Sequence, residues 1–170
     1  MATDTKKGVT QVYEVYIKAT PQAIWDAITT PEWTVKYGYQ GETTYDLRPG
    51  GAYKARATPD MRKFGLPEVV VDGEVIEANP PHRLVQTYRF LFNDQTKAEG
   101  FTRVTWEIER SNAGFSRLTV THEDLESGSK MLEGITKGWP MVLSGLKSLL
   151  ETGKGTPNPN DSHISGDGSD

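Results

Sequence analysis

The sequence predicts an α+β domain. A curved antiparallel seven-stranded sheet wraps around a long C-terminal helix, and two short helices follow the first strand. Three observations carry this. Between Glu42 and Glu123, six segments rich in strand-forming residues, several of them strictly alternating, are separated by turn residues. From 127 to 152 the period becomes helical, with apolar residues at 132, 135, 139, 142, 143, 146, 149 and 150. Two Thr-Pro pairs, Thr20-Pro21 and Thr30-Pro31, follow a single N-terminal β-rich segment. A run of strands closed by one long helix is a layered arrangement with the helix on one face of the sheet.

The first strand is predicted over 9–19, where VTQVYEVYIKA is rich in β-branched and aromatic residues. Thr20 then Pro21 is a helix start, a capping hydroxyl before a residue already fixed in helical φ. Ile24, Trp25 and Ile28 share one face of the short helix 21–29, and Trp25 is a core residue there. The second Thr-Pro opens a helix to about Tyr37, with Trp33 either at an entrance or simply packed. Strands are predicted at 42–48, 51–58, 69–78, 83–92, 101–110 and 115–123. Pro49-Gly50-Gly51, Pro80-Pro81, Asn93 to Gly100 and Asn112-Ala113-Gly114 separate strands. Residues 59–68 read as a loop with an apolar tip of Met61, Phe64 and Leu66. Leu84, Gln86, Tyr88 and Phe90 share a face, as do Val104, Trp106 and Ile108, and Leu118, Val120 and His122. The opposite faces carry Arg103, Thr105, Glu107, Arg117, Thr119 and Thr121 and are expected to be wet.

The C-terminal helix holds Gly138, Trp139 and Pro140 in its middle. At about 100° per residue, Gly134, Gly138 and Gly145 fall on one narrow stripe beside the apolar face. A glycine stripe permits close approach of a backbone or ligand. Pro140 removes the hydrogen bond to the Thr136 carbonyl and is expected to bend the helix at 136–140. The domain is expected over 9–153, and 154–170 reads as a disordered tail with almost nothing to bury.

The 170 residues suit one domain, and their 25% charged and 35% apolar content is that of a soluble globular protein. The net charge of −4 gives no reason to expect nucleic acid as a partner. There is no cysteine, hence no disulfide or thiolate chemistry. No segment is apolar and long enough for a signal peptide or a membrane span, so a cytoplasmic location is expected.

The segments YIKATPQAIWDAITTPE, LRPGGAYKA, GEVIEANPPHRLVQTY and GWPMVLSGLKSLLE, with the element order strand, two helices, six strands, helix, resemble a known family. It is the bacterial relatives of the C-terminal domain of the Hsp90 ATPase activator. These lie within the Bet v 1-like, or helix-grip, superfamily of START domains and polyketide cyclases (SRPBCC). The resemblance covers about residues 10–152. It implies a cavity between the long helix and the sheet, often used in the superfamily for lipids, polyketides or other apolar molecules. It does not by itself assign a function.

Inward-facing candidates for such a site are Tyr53, Gln86, Tyr88, Phe90, Trp106, Val120, His122, Met131, Ile135 and Trp139, with Tyr45 beside them. Buried Tyr and Trp bring polar atoms that need partners, and a few polar groups among apolar walls suit a small-molecule site. An ordinary packed core is the alternative for each residue singly. His122 is either a polar group at the cavity mouth, able to bind or move a proton, or a hydrogen-bonded histidine at the strand–helix junction. Glu123, Asp124 and Glu126 suit either an acid–base pair or the positive end of the helix that follows. His82, His122 and His163 fit no metal spacing, and no nucleotide or hydrolase motif is present, so neither metal nor cofactor is expected. The resulting expectation is a binding protein for a small apolar ligand. A protein-interaction module with a chaperone or other protein partner and a cyclase- or hydrolase-like enzyme are the alternatives, as monomer or homodimer.

Overall fold

The computed structural model describes residues 8–158. The strands are β1 (Val9–Ile17), β2 (Thr43–Tyr45), β3 (Ala52–Arg56), β4 (Val69–Asn79), β5 (Arg83–Phe90), β6 (Thr102–Arg110) and β7 (Ser116–Leu125). They pair antiparallel throughout, in the order β1-β7-β6-β5-β4-β3-β2. Register shifts at Val9/Gln11, Ala55/Arg56 and Val75/Glu77 interrupt the ladders. Such irregularities bend a strand and increase its twist. At Gly73 a Cβ would lie 1.9 Å from the Thr87 carbonyl oxygen, so β4 reaches β5 there only with glycine.

The inward face is the predicted one. Leu84, Gln86, Val104, Ile108, Leu118, Val120 and His122 are fully or almost fully buried. The opposite face differs at its centre. Thr105 and Val85 face each other across β5 and β6 and are also buried, although Thr105 was expected to be wet. Arg83 makes ion pairs beside them with Glu77 at 2.9 Å and Glu107 at 3.1 Å.

Among the described residues there are four short helices, two more than the sequence predicts. In α1 (Pro21–Thr29) the Thr20 hydroxyl accepts a hydrogen bond from Ala23 N at 3.1 Å, the predicted cap. In α2 (Pro31–Thr34) the helix stops before Tyr37, and the Thr34 hydroxyl accepts from Thr43 N at 3.0 Å. The apolar-tipped loop contains α3 (Pro59–Lys63), where Thr58-Pro59 repeats the same cap-then-proline start. The break between β5 and β6 contains α4 (Asp94–Glu99), closed by a reciprocal capping box between Asn93 and Thr96.

The long helix α5 (Lys130–Thr152) begins three residues later than expected, because Ser129 caps it by accepting from Leu132 N. It runs unbroken through Pro140 and ends at Gly153, whose φ of 83° is left-handed. Met131, Ile135, Trp139, Leu143, Leu146 and Leu149 are buried in the core shared with the sheet. The expected tail starts against the body. Gly155 lies close to Lys36 and Tyr37, and Asn158 Nδ2 donates to the Tyr39 carbonyl at 3.3 Å. Residues 159–170 lie outside the described residues.

Candidate functional site

Between α5 and the β2–β5 half of the sheet lies a cavity of about 580 Å³. The local sequence explains its shape. The stripe of Gly134, Gly138 and Gly145 turns toward aromatic residues. Added Cβ atoms would lie 3.1 Å from Phe90 Cε2, 3.5 Å from the Tyr39 hydroxyl, and 3.4 Å from Tyr37 Cβ, respectively. A side chain at 145 would crowd the Gly38 backbone nitrogen at 3.1 Å and one at 134 would crowd Phe90, whereas at 138 it would make only an ordinary contact. Gly38, with φ of 59°, packs in return against Val142.

The walls are aromatic and continuous. Tyr45 and Tyr53 have ring centroids 4.7 Å apart, Tyr53 and Tyr88 6.0 Å, Tyr88 and Trp139 6.1 Å, and Trp139 and Trp106 5.2 Å edge to face. Phe90 and Phe92 extend the wall at 4.7 Å. Such offset and edge contacts match the charge distribution of the rings.

Two hydrogen-bonded clusters stand behind this wall. Gln86 Oε1 accepts from the Tyr45 hydroxyl at 2.7 Å and from Trp106 Nε1 at 3.0 Å. An indole N–H only donates, so the amide oxygen must face it. His122 accepts at Nδ1 from Trp139 Nε1 at 3.0 Å, and its Nε2 lies 2.7 Å from the Thr102 hydroxyl. That fixes the tautomer: Nε2 carries the proton and donates to Thr102, which donates to the Tyr88 carbonyl at 2.8 Å. Burial pushes the His122 pKa down to about 3.

Other polar groups end in the cavity itself. Burial raises the Tyr53 and Tyr88 hydroxyls above their ordinary range. Neither makes a hydrogen bond among the described residues, and the Tyr39 hydroxyl likewise has none. Arg56 reaches the wall and donates from Nη1 to the Thr44 hydroxyl at 3.2 Å.

Of the ten predicted site residues, Tyr53, Tyr88, Phe90, Trp106, Ile135 and Trp139 line the cavity. Gln86, Val120, His122 and Met131 do not; they are buried behind it. His122 is therefore not at a cavity mouth. It is a satisfied core histidine, with both ring nitrogens engaged. Glu123, Asp124 and Glu126 do not supply the anion at the start of α5. Glu99 does, its carboxylate accepting from Lys130 N at 2.8 Å and Met131 N at 3.0 Å. Trp25 is buried as expected, and Trp33 is half-buried away from the cavity, with the Lys36 ammonium 5.0 Å from its ring. Tyr39, Arg56, Val70, Val71 and Val142 also line the cavity, as do Met61 and Leu66 of the apolar-tipped segment, although the sequence does not single them out for it. The 37–41 segment has no periodicity to reveal it. The glycine stripe was its one legible sign.

Residues 18–151 match the family described as Activator of Hsp90 ATPase homolog 1-like protein. This chain belongs to that family. Its fold is helix-grip-like, consistent with the Bet v 1-like (SRPBCC) superfamily. Solved structures of similar fold include the Aha1 dimer of Colwellia psychrerythraea, at 20% identity and TM-score 0.67, covering 86% of this chain and 99% of that one. An Hsp90 activator from Plasmodium falciparum, PFC0360w, is 19% identical with TM-score 0.66, covering 84% and 96%. CalU16 from Micromonospora echinospora is 19% identical in its solution structure, with TM-score 0.68 and coverage of 95% and 77%. At these identities the likeness is one of fold. The sequence matches no curated protein. Among the described residues, no group of three or more His, Asp or Glu is placed to hold a metal ion, and no helix is long and apolar enough to cross a membrane.

Proposed function

We propose that this protein binds a small apolar ligand in the cavity between α5 and the sheet. One observation carries the reading: a cavity of about 580 Å³ with aromatic walls, into which the Tyr53 and Tyr88 hydroxyls project without a protein partner. Its size falls within the range of roughly 300–1,000 Å³ common for small-molecule sites. Apolar walls supply affinity through surface removed from water, and the hydroxyls supply orientation. The reading is tested by native mass spectrometry of the freshly purified chain, followed by denaturation and analysis of released small molecules. A titration with lipids, polyketides and planar aromatics follows, read by the fluorescence of Trp106 and Trp139. A released molecule, or a saturable change with one chemical class, supports the reading. An empty extract together with unmoved fluorescence overturns it.

A protein-interaction role has separate support. Phe64 is 84% exposed at the end of α3, where it is available to a partner, and the family is named for an Hsp90 activator. Retention of this chain on an immobilised Hsp90 homologue, lost in Phe64→Ser, supports it; no retention by either form overturns it. The same native spectrum separates monomer from homodimer. A cyclase-like enzyme has less support, because His122 is held neutral with both nitrogens engaged.

A further inference from the structure

The cavity wall is apolar except for a few groups, and one of these carries a charge. Arg56 ends β3 at the register shift against Val69. It lines the main cavity and also a smaller groove beside it, so it stands at the boundary between the two. Its one side-chain hydrogen bond goes to Thr44. A guanidinium has five N–H donors in a fixed fork, so most of its donors have no protein acceptor.

Other arginines of the sheet are paired or exposed. Arg48, Arg83, Arg89 and Arg117 each hold a carboxylate. Arg62, Arg103 and Arg110 are exposed to water. Arg56 alone among the described arginines is half-buried with no ion pair. Glu42 and Glu68 line the smaller groove, yet neither is within ion-pairing distance of it. Their charge disfavours an anion arriving in that groove, so the cavity side is the place for one. Withdrawing a cation from water beside an apolar surface is costly unless an anion meets it.

We infer that the ligand is an amphipathic acid, with an apolar body among the aromatic walls and a single carboxylate held by Arg56. This rests on the reading of the cavity as a small-molecule site. The carboxylate accepts two parallel N–H bonds from the guanidinium, the geometry in which arginine discriminates best. The far end of the ligand lies toward Trp106 and Trp139, where no charged side chain lines the cavity.

The test compares matched acid and alcohol probes on the full chain: dodecanoate against dodecanol, and pyrenebutanoate against pyrenebutanol. Affinity is read by fluorescence for the wild type, Arg56→Gln and Arg56→Lys, with thermal unfolding confirming that each variant is folded. The wild type is expected to prefer the acid of at least one pair by about tenfold or more, the scale of one charge-assisted pair. Added salt weakens the acid alone. Arg56→Gln removes the preference by weakening the acid far more than the alcohol, and Arg56→Lys restores part of it. Equal binding of acid and alcohol by the wild type overturns this inference and leaves the cavity reading standing. A preference that survives in Arg56→Gln overturns the role of Arg56. Binding of neither member of either pair overturns the inference for this cavity, while the wider ligand titration decides the cavity reading separately.

Discussion

Trp139 Nε1 donates to His122 Nδ1 at 3.0 Å, joining the centre of α5 to the inner face of β7. This bond explains why a helix carries tryptophan between glycine and proline. Gly138 leaves space in the cavity it lines, and Trp139 points inward to lock the imidazole. The imidazole donates its Nε2–H to the Thr102 hydroxyl, which in turn donates to the Tyr88 carbonyl. The cavity wall at Tyr88 is thus supported from behind by a chain of donors that ends on its carbonyl.

A neutral histidine sealed in this way makes stability depend on pH. The unfolded chain protonates His122 near pH 6.5, whereas burial holds the folded imidazole neutral down to about 3. The contribution of the group is therefore complete above pH 6.5 and is lost as pH falls from 6.5 toward 3. At pH 5 the loss is about 2 kcal/mol, from one proton bound only by the unfolded state. Urea unfolding at pH 7 and pH 5 measures it. His122→Gln should be less stable at pH 7 but lose less on acidification than the wild type. Equal losses would remove His122 as the cause.

Glu99 makes a second long-range tie. Its carboxylate accepts from the first two amides of α5, 31 and 32 residues further along the chain. Glu99→Gln keeps the shape but weakens a charge at the positive helix end, and should cost about 1 kcal/mol. Glu126→Gln, which holds no such position, should cost less than about 0.5 kcal/mol. Denaturant midpoints of the two variants compare them directly.

The strands and the long helix were legible because burial on one face writes itself into the sequence as a period. Leu118, Val120 and His122 announce an inward face without help from any other segment. The short helices α3 and α4 were not read, since five or six residues are too few to show a period. Their caps were nevertheless visible, Thr58-Pro59 in the same form as Thr20-Pro21. The division of the site into wall and support was not legible. Tyr88 and His122 both face inward on neighbouring strands, and only the packed geometry puts one on the cavity and the other behind it. Arg56 was not legible either: it sits at the end of β3 beside a register shift, and no residue pattern marks that place.

The glycines of α5 separate stability from binding. Gly138→Ala adds a methyl group 3.5 Å from the Tyr39 hydroxyl, an ordinary contact, and gains helix propensity of up to about 1 kcal/mol. It should raise the melting temperature while narrowing the cavity that Gly138 lines, so affinity for an apolar probe should fall. Gly145→Ala brings the methyl group to 3.1 Å from the Gly38 backbone nitrogen, which cannot swing aside. It should fail to stabilise the protein, or destabilise it. Thermal unfolding of both variants checks the contrast.

Gln86 tests how much of the wall depends on its support. Its single amide oxygen satisfies both Trp106 and Tyr45. Gln86→Leu preserves approximate volume but leaves two donors in the interior without an acceptor. Each such donor costs about 1–3 kcal/mol, so the variant should lose about 2–4 kcal/mol. Tyr45→Phe removes one donor and leaves the oxygen still bonded to Trp106, so it should cost only about 1 kcal/mol. In the double variant the Tyr45 hydroxyl is no longer present to be stranded, and the two effects should sum to less than their separate costs. A double-mutant cycle by urea denaturation measures this coupling. Strict additivity would mean that Tyr45 finds another acceptor when Gln86 is lost, and that the wall holds its shape without the amide.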